Sequence, residues 1–514
     1  MPEGSAGDGE LNDAVTLTEA TPTPAQPKPV LEFDIDAADL PRLMRSPALA
    51  AKRGGRARSV AWRTVWHDTA SGDLAADGLA MSEQGGTWRL EKLQPNGGGE
   101  WPPATPTPVL AEAAAAELLR PGLNGALVPV AAFAGRHRSF PLLGEGPPAR
   151  LDVLEGALRG VAGDRPACRL LLSGPPGAMA ALATELDRHI RLNVPRAGLA
   201  AGAFAVAHEQ DAPPRHLGTP QIPAGLGLSD AIALVIGHLT DVILHWLPQV
   251  RSDAEPEPVH QSRVAVRRLR SALAIFRRAT PDGPFAALAT ELKELATKLG
   301  AARDWDVFLG GTGQAVRLAF SDDKRVASLL AAASRKRAAA YATLETYLRG
   351  DSWHALSLRL ALLPTSRPWQ ETPDAAQLER LAAPAADFAA TALRRQRKRV
   401  LAAGDDFAAL APPARHEVRK QAKKLRYSSE FFAPLFGGKA VRRFVERLVD
   451  VQEALGALND GSVASVLMAE LAGGADRAFA VGVVRGYVAA TNVRAASDAR
   501  RAWRKFAEAS PFWD

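Results

Sequence analysis

Two segments of this chain place a histidine at the head of a ladder of cations. The first is HQSRVAVRRLR, His260–Arg270, and the second is HEVRKQAKKLR, His416–Arg426. They align without a gap: Arg at +3 from the histidine, a basic residue at +7 and +8, Leu at +9 and Arg at +10. The chemistry open to such a ladder is anion binding. Guanidinium forks match phosphate oxygens, and a leading histidine can add a donor and gain a proton beside bound phosphate. The plainer alternative is a solvated helix surface used twice, because Arg is also a good helix former.

On a helix at about 100° per residue, His260, Arg263, Arg267 and Arg270 share an arc of roughly 80°, with Ala265, Leu269, Ala272, Leu273 and Phe276 opposite. His416, Arg419, Lys423 and Arg426 repeat the arc opposite Leu425 and Phe432. Each line of cations is ~15 Å long at ~1.5 Å per residue. Like charges at this spacing repel. Acids that would relieve them are scarce: none lies between Val259 and Arg278, and the second copy has only Glu417 and Glu430. Relief must come from other helices or from a bound anion. A third basic run, RRQRKR at Arg394–Arg399, favours the anion. Arg268, Arg277, Lys420, Lys424, Arg394 and Arg397 therefore join the two ladders as candidate contacts.

The helices that carry the ladders belong to an internal repeat. At the offset that relates His260 to His416, Phe276 pairs with Phe432, and LGAARD (Leu299–Asp304) pairs with LGALND (Leu455–Asp460). From about Leu226 onward Ala, Leu and Arg dominate in amphipathic patterns with short Pro/Gly breaks, including a loop expected at Gly310–Gln314. The simplest architecture is two helical bundles side by side. Asp304, Asp306 and Asp460 are expected to cap helices or orient the ladder arginines. His238 and His245 read as core histidines, and Trp305, Trp353 and Trp369 as packing residues.

The chain has 514 residues, 47% of them hydrophobic, and a net charge of +7. That charge is uneven: residues 1–224 hold 21 Lys/Arg against 25 Asp/Glu, and residues 225–514 hold 42 against 31. The C-terminal part is the expected seat of a polyanionic partner. One cysteine, Cys168, excludes a disulfide scaffold and a multi-cysteine zinc site, and suits a reducing cytosol. The polar N-terminus reads as no signal peptide, and no uninterrupted apolar run predicts a membrane span; Ala231–Leu247 comes nearest but carries His238, Asp241 and His245. Before the helical region come strand-like runs (LEFDID, RTVWHDT, TWRLEKL, ALVPVAAF, CRLLL) and helical patterns at Pro108–Leu119 and Ala178–Ile190.

VHQSRVAVRRLRSALAIF, LGAARDWDVF, RHEVRKQAKKLRYSSEFF and VQEALGALND together resemble the CHAD domain, the conserved-histidine α-helical domain, over about Leu226–Asp514. The resemblance implies two four-helix bundles with internal symmetry and binding of inorganic polyphosphate through basic residues of the motif-bearing helices. The matching positions are His260, Arg263, Arg267, Arg270, His416, Arg419, Lys423 and Arg426, with Arg268 and Lys424 alongside. Residues 31–210 resemble a worn CYTH domain, a triphosphate-tunnel β-barrel. Active members open with Glu-x-Glu-x-Lys, whose acids hold a divalent metal; the stretch here is KPVLE or, one register over, LEFDID. Ser82 and Gln84 replace the phosphate-gripping arginines, Cys168 and Leu170 stand where late carboxylates are expected, and Ala197 and Gly198 replace a Ser-Lys pair. Arg136, His137 and Arg138 could keep a weak anion contact, but a plain surface role is the expectation for them.

The expected fold is multidomain α+β. Residues 1–30 form a disordered tail, 31–210 a degenerate CYTH-like antiparallel β-barrel, 211–225 a Pro-rich linker, and 226–514 an all-α CHAD domain with repeat halves at about 226–370 and 371–514. The expected function is non-catalytic binding of inorganic polyphosphate in the cytoplasm, at polyphosphate granules. No catalytic residue, metal or cofactor and no membrane partner is expected. A divergent metal-dependent inorganic triphosphatase is the alternative, and nucleic-acid binding ranks behind it, because Tyr427 is the one aromatic near the ladders. Nothing in the sequence reports the oligomeric state.

Overall fold

The computed structural model describes residues 29–93, 102–106, 126–144, 147–212, 214–253, 255–280, 283, 285–371 and 374–513. The helix expected at Pro108–Leu119 and nearly all of the tail lie outside the described residues.

The N-terminal half is one antiparallel sheet of seven strands: β1 (Pro29–Asp34), β2 (Arg58–Thr69), β3 (Leu79–Gln84), β4 (Thr87–Lys92), β5 (Leu127–Leu142), β6 (Ala149–Gly160) and β7 (Gly163–Ser173). Their order is β1-β7-β6-β5-β2-β3-β4, and the sheet curls into a half-barrel. The expected barrel is thus open: its end strands β1 and β4 are only six residues each and pair with β7 and β3, not with each other. Gly135 of β5 faces Gly156 of β6, and a Cβ on either would stand under 2.5 Å from the partner backbone. Only glycine fits where the curling strands approach this closely.

Alternation along β1 sends Leu31 and Phe33 to one face and Glu32 and Asp34 to the other. The first face is covered by α1 (Pro176–Leu186) and by three residues of a helix from the C-terminal half, Leu358, Ala361 and Leu362. The second packs α2 (Leu199–Ala207) against Trp66, Phe133, Leu154 and Leu158.

The C-terminal half is all helical. Its first bundle holds α3 (Leu228–Trp246), α4 (Glu257–Phe276), α5 (Phe285–Phe308), α6 (Lys324–Arg349) and α7 (Asp351–Ser366). Its second holds α8 (Ala385–Ala403), α9 (Pro412–Phe432), α10 (Gly438–Leu471) and α11 (Gly474–Ala507). The offset seen in the sequence relates α3 to α8, α4 to α9, α5 to α10 and α6 to α11. Both bundles share one apolar core, in which Phe276 meets Phe388 at 6.1 Å and Phe432 at 6.4 Å. By length and composition α3 is apolar enough to cross a membrane, but 78% of its apolar window is buried inside this core. Trp305 and Trp369 are buried and Trp353 packs on the core. His238 is buried against the His216 ring at 4.8 Å.

The loop expected at Gly310–Gln314 is instead a π-helical turn, Leu309–Gly313, that carries α5 onward into a short helix. Its glycines permit the wide turn; a Cβ on Gly313 would lie 2.9 Å from the Phe308 carbonyl oxygen. The corresponding stretch of α10 continues as unbroken α-helix.

Candidate anion-binding groove between the bundles

The ladder helices form for local reasons. Both α4 and α9 carry proline in the first turn, where no intrahelical N–H is lost. Their apolar stripes then sink into the shared core: Val259, Ala265, Val266, Leu269 and Leu273 on α4, and Val418, Ala422, Leu425 and Phe431 on α9. Burial of these stripes turns the opposite faces outward, and α4 and α9 pack against each other at the line between the bundles.

The two cationic faces meet there. One groove of about 370 Å³ is lined by His260, Arg263 and Arg267 of α4 and by His416 and Arg419 of α9. Arg303 and Asp304 of α5 and Asp460 of α10 complete its polar wall, and Val307, Phe308, Val463, Ala464 and Leu467 form an apolar base. His260 with His416, Arg263 with Arg419, Asp304 with Asp460 and Val307 with Val463 are repeat mates, so the groove straddles the pseudo-twofold axis.

Carboxylates at the back wall orient the cations. Asp304 lies 3.8 Å from Arg263, as expected for an arginine-orienting acid. Burial raises the Asp304 carboxyl above the usual range, against the pull of Arg263. Asp306 serves elsewhere, bonding Arg337 at 2.6 Å and Tyr341 at 3.0 Å. Tyr427 is buried at the interface; its hydroxyl accepts from Arg267, and its ring lies 5.6 Å and 5.7 Å from the Arg267 and Arg268 guanidiniums. Glu430 accepts from Arg268 at 2.9 Å and from Arg426 at 2.6 Å, and Arg426 also reaches Gln452 at 2.9 Å.

Cations outnumber acids inside the groove. Lys423, the repeat mate of Arg267, is not part of the groove lining, but burial and the neighbouring Arg267, Arg419 and Arg263 push it down to about 6. Burial, then Arg303, lowers His260. Burial likewise lowers the Arg263 and Arg419 guanidiniums, which remain charged at any physiological pH.

The remaining sequence candidates lie outside the groove lining. Arg268 and Arg426 are held by Glu430, Arg270 is half-buried on α4, Lys420 pairs with Glu417, and Lys424 is exposed. Arg277 is exposed at the end of α4, and Arg394 is exposed on α8. Arg397 turns away and donates to the carbonyls of Ala507 and Ala509 (2.9 Å for the latter), closing the end of α11. Sequence reasoning missed Arg303. Its neighbour Asp304 was marked by the repeat, but Asn459 is the mate of Arg303, so a search for matched cations passes over it.

The family model for the CHAD domain matches residues 234–469. Residues 234–469 of this chain form a CHAD domain. The crystal structure of the CHAD domain from the plant Ricinus communis is similar, at 30% identity over 58% of this chain and 98% of that one, with a TM-score of 0.49. PptA from Streptomyces chartreusis is similar at 19% identity over 54% of this chain and 100% of that one, with a TM-score of 0.42. No curated protein matches the chain.

Ahead of the CHAD region, the curled sheet is compatible with a CYTH-like domain. Its β1 register is LEFDID, with Glu32 opposite Leu171 and Asp34 opposite Arg169. Cys168 and Leu170 face the other side, toward the α1 core, so the inward β7 position is Arg169 and not the two residues picked from sequence. A CYTH-like fold implies a divalent cation held by clustered carboxylates. The residues here do not fit one. Buried Arg169 takes Glu32 at 2.6 Å, Asp34 at 2.7 Å and the Ala197 carbonyl at 3.0 Å. Asp152 is bonded by His137 at 2.8 Å and by Arg150, and Arg138 pairs with Glu155 at 2.8 Å. Asp68 caps the backbone N–H groups of Leu74 and Ala75. Among the described residues no group of three or more His, Cys, Asp or Glu is placed to hold a metal ion.

Proposed function

We propose that this protein binds linear inorganic polyphosphate along the groove between its two CHAD bundles and does not hydrolyse it. The observation that carries the reading is convergence: two cation ladders, far apart in sequence, line one groove. The CHAD domain is linked in general to polyphosphate binding. Like-charged groups held this close are costly to assemble, and a chain of phosphates supplies one charge per residue against them. Symmetry favours polyphosphate over nucleic acid. A linear polyphosphate reads the same from either end and suits a pseudo-twofold groove, whereas a nucleic-acid strand has a direction. Tyr427, the aromatic nearest the ladders, is buried under two guanidiniums and offers no face for base stacking.

The same reading makes the CYTH-like half non-catalytic. Arg169 supplies Glu32 and Asp34 with the positive charge that a metal would bring. The setting we propose is the cytoplasm, at polyphosphate granules.

Calorimetric titration with long-chain polyphosphate at two salt concentrations, with RNA as competitor and free phosphate assayed, tests this. Tight binding that weakens steeply with salt, resists RNA and releases no phosphate is expected. Affinity that ignores salt would overturn the groove reading, and phosphate release would return the CYTH-like half to the triphosphatases.

A further inference from the structure

The groove explains only part of the chain's unpaired positive charge. Past Arg270, the cationic face of α4 continues to Arg277 and Arg278 at the end of the helix. There α4 meets α8, with Phe276 stacked on Phe388. Two turns along the same face of α8 stands Arg395, followed one turn later by Arg399, and Arg278 sits beside both. Lys398 is exposed next to them.

Crowding of like charge and a break in the repeat separate this patch from ordinary solvated charge. Elsewhere some exposed arginines pair with a nearby acid, as Arg42 does with Asp39, Arg359 with Glu291 and Arg501 with Asp498, and others, such as Arg63, Arg335 and Arg442, make no ion pair among the described residues. Among the described residues, Arg277, Arg278, Arg395, Lys398 and Arg399 make no such pair, although Arg278, Arg395 and Arg399 crowd one another. The repeat also breaks here. The mates of Arg395 and Arg399 on α3 are Leu239 and Ile243, both fully buried beneath neighbouring elements such as α7. On α8 the equivalent positions are exposed and carry cations. The mates of Arg277 and Arg278 are Ala433 and Pro434, so the track extends from one end of the groove only.

We propose that Arg277, Arg278, Arg395, Lys398 and Arg399 form a second polyphosphate contact, an extension of the groove that only long chains reach. This rests on the groove reading above. A short oligophosphate fills the groove and stops. A long chain leaves it past Arg270 and crosses from α4 to α8, so the protein discriminates by chain length.

The test compares tripolyphosphate with long-chain polyphosphate on the intact protein and on Arg395→Ser/Arg399→Ser. Both residues are exposed, and an unchanged melting curve checks the fold. In the variant, affinity for the long chain should fall about tenfold with a shallower salt dependence, and affinity for tripolyphosphate should hold. The matched-charge control Arg42→Ser/Arg45→Ser, on the N-terminal half, should change long-chain affinity less than twofold. Long-chain affinity unchanged in the α8 variant overturns the extension and leaves the groove standing. An equal loss in the control, or an equal loss for both ligands, overturns it as a mere net-charge effect. Wild-type protein that binds no long-chain polyphosphate overturns both readings.

Discussion

Arg268 of α4 and Glu430 of α9 form an ion pair at 2.9 Å across the line where the two bundles meet. Glu430 reaches both ladder helices, because it also bonds Arg426 of its own helix. Its substitution by Gln leaves two guanidiniums with a neutral partner in a largely buried site. A loss of about 2 kcal/mol is expected, read as a lowered Tm. Added polyphosphate should recover part of that loss, since a ligand bound to the folded state stabilises it. An unchanged Tm would mean that the pair contributes nothing to bundle docking.

Tyr427→Phe removes the hydroxyl that accepts from Arg267 and keeps the ring beneath both guanidiniums. Stability should change by about 1 kcal/mol or less, while Arg267 loses its fixed direction. Polyphosphate affinity should fall roughly fivefold, about 1 kcal/mol. If Tyr427→Phe binds as wild type, Arg267 is positioned by other contacts.

Lys423 is expected to make polyphosphate binding proton-linked. It does not line the groove but lies beside Arg263, Arg267, Arg419 and Asp460, and with a pKa of about 6 it is mostly neutral at pH 7. Bound phosphate raises that value, so binding takes up a proton, and affinity falls as pH rises above 6. His260, also lowered by burial and Arg303, acts with the same sign. Calorimetry in buffers of different ionisation enthalpy should show proton uptake near pH 7. Lys423→Arg should keep the affinity and lose most of the uptake; His260→Gln accounts for the remainder. Wild-type binding with no proton uptake would sink this linkage. Without ligand the sign reverses: a lysine depressed in the fold costs stability below pH 6, and the cost is relieved as pH rises toward the unfolded value of about 10.4.

Arg169→Met leaves Glu32 and Asp34 without their shared cation. A loss of about 3 kcal/mol at pH 7 is expected, because removing one partner strands buried charge. The stranded carboxyls have raised values in the folded variant, so its stability relative to wild type should recover as pH falls toward 5. Thermal melts at pH 5 and 7 check this; an equal deficit at both would place the role of Arg169 in packing.

The stripes were legible because their cause is local. Side-chain period on a helix puts His260, Arg263 and Arg267 on one face whatever surrounds them, and the repeat offset doubled that signal at His416, Arg419 and Lys423. The strand alternation that separates Glu32 from Phe33 was equally local, although sequence left two registers open. Arg303 was not legible, because its mate is Asn459 and matched cations were the clue. Nor was the inward turn of Arg169, since choosing β7's inner residues requires its pairing with β1.

By itself the sequence determined the two-part plan, the helical repeat and the chemical character of the ladder faces, all properties of short segments and their spacing. Only the tertiary structure decided that α4 and α9 pack together, so that two ladders share one groove. It also decided which cations are spent on protein partners, as Arg268, Arg397 and Arg426 are, and which face the groove. The physical reason is that pairing depends on distance between segments distant in the chain, which burial of a common core sets and side-chain periodicity does not.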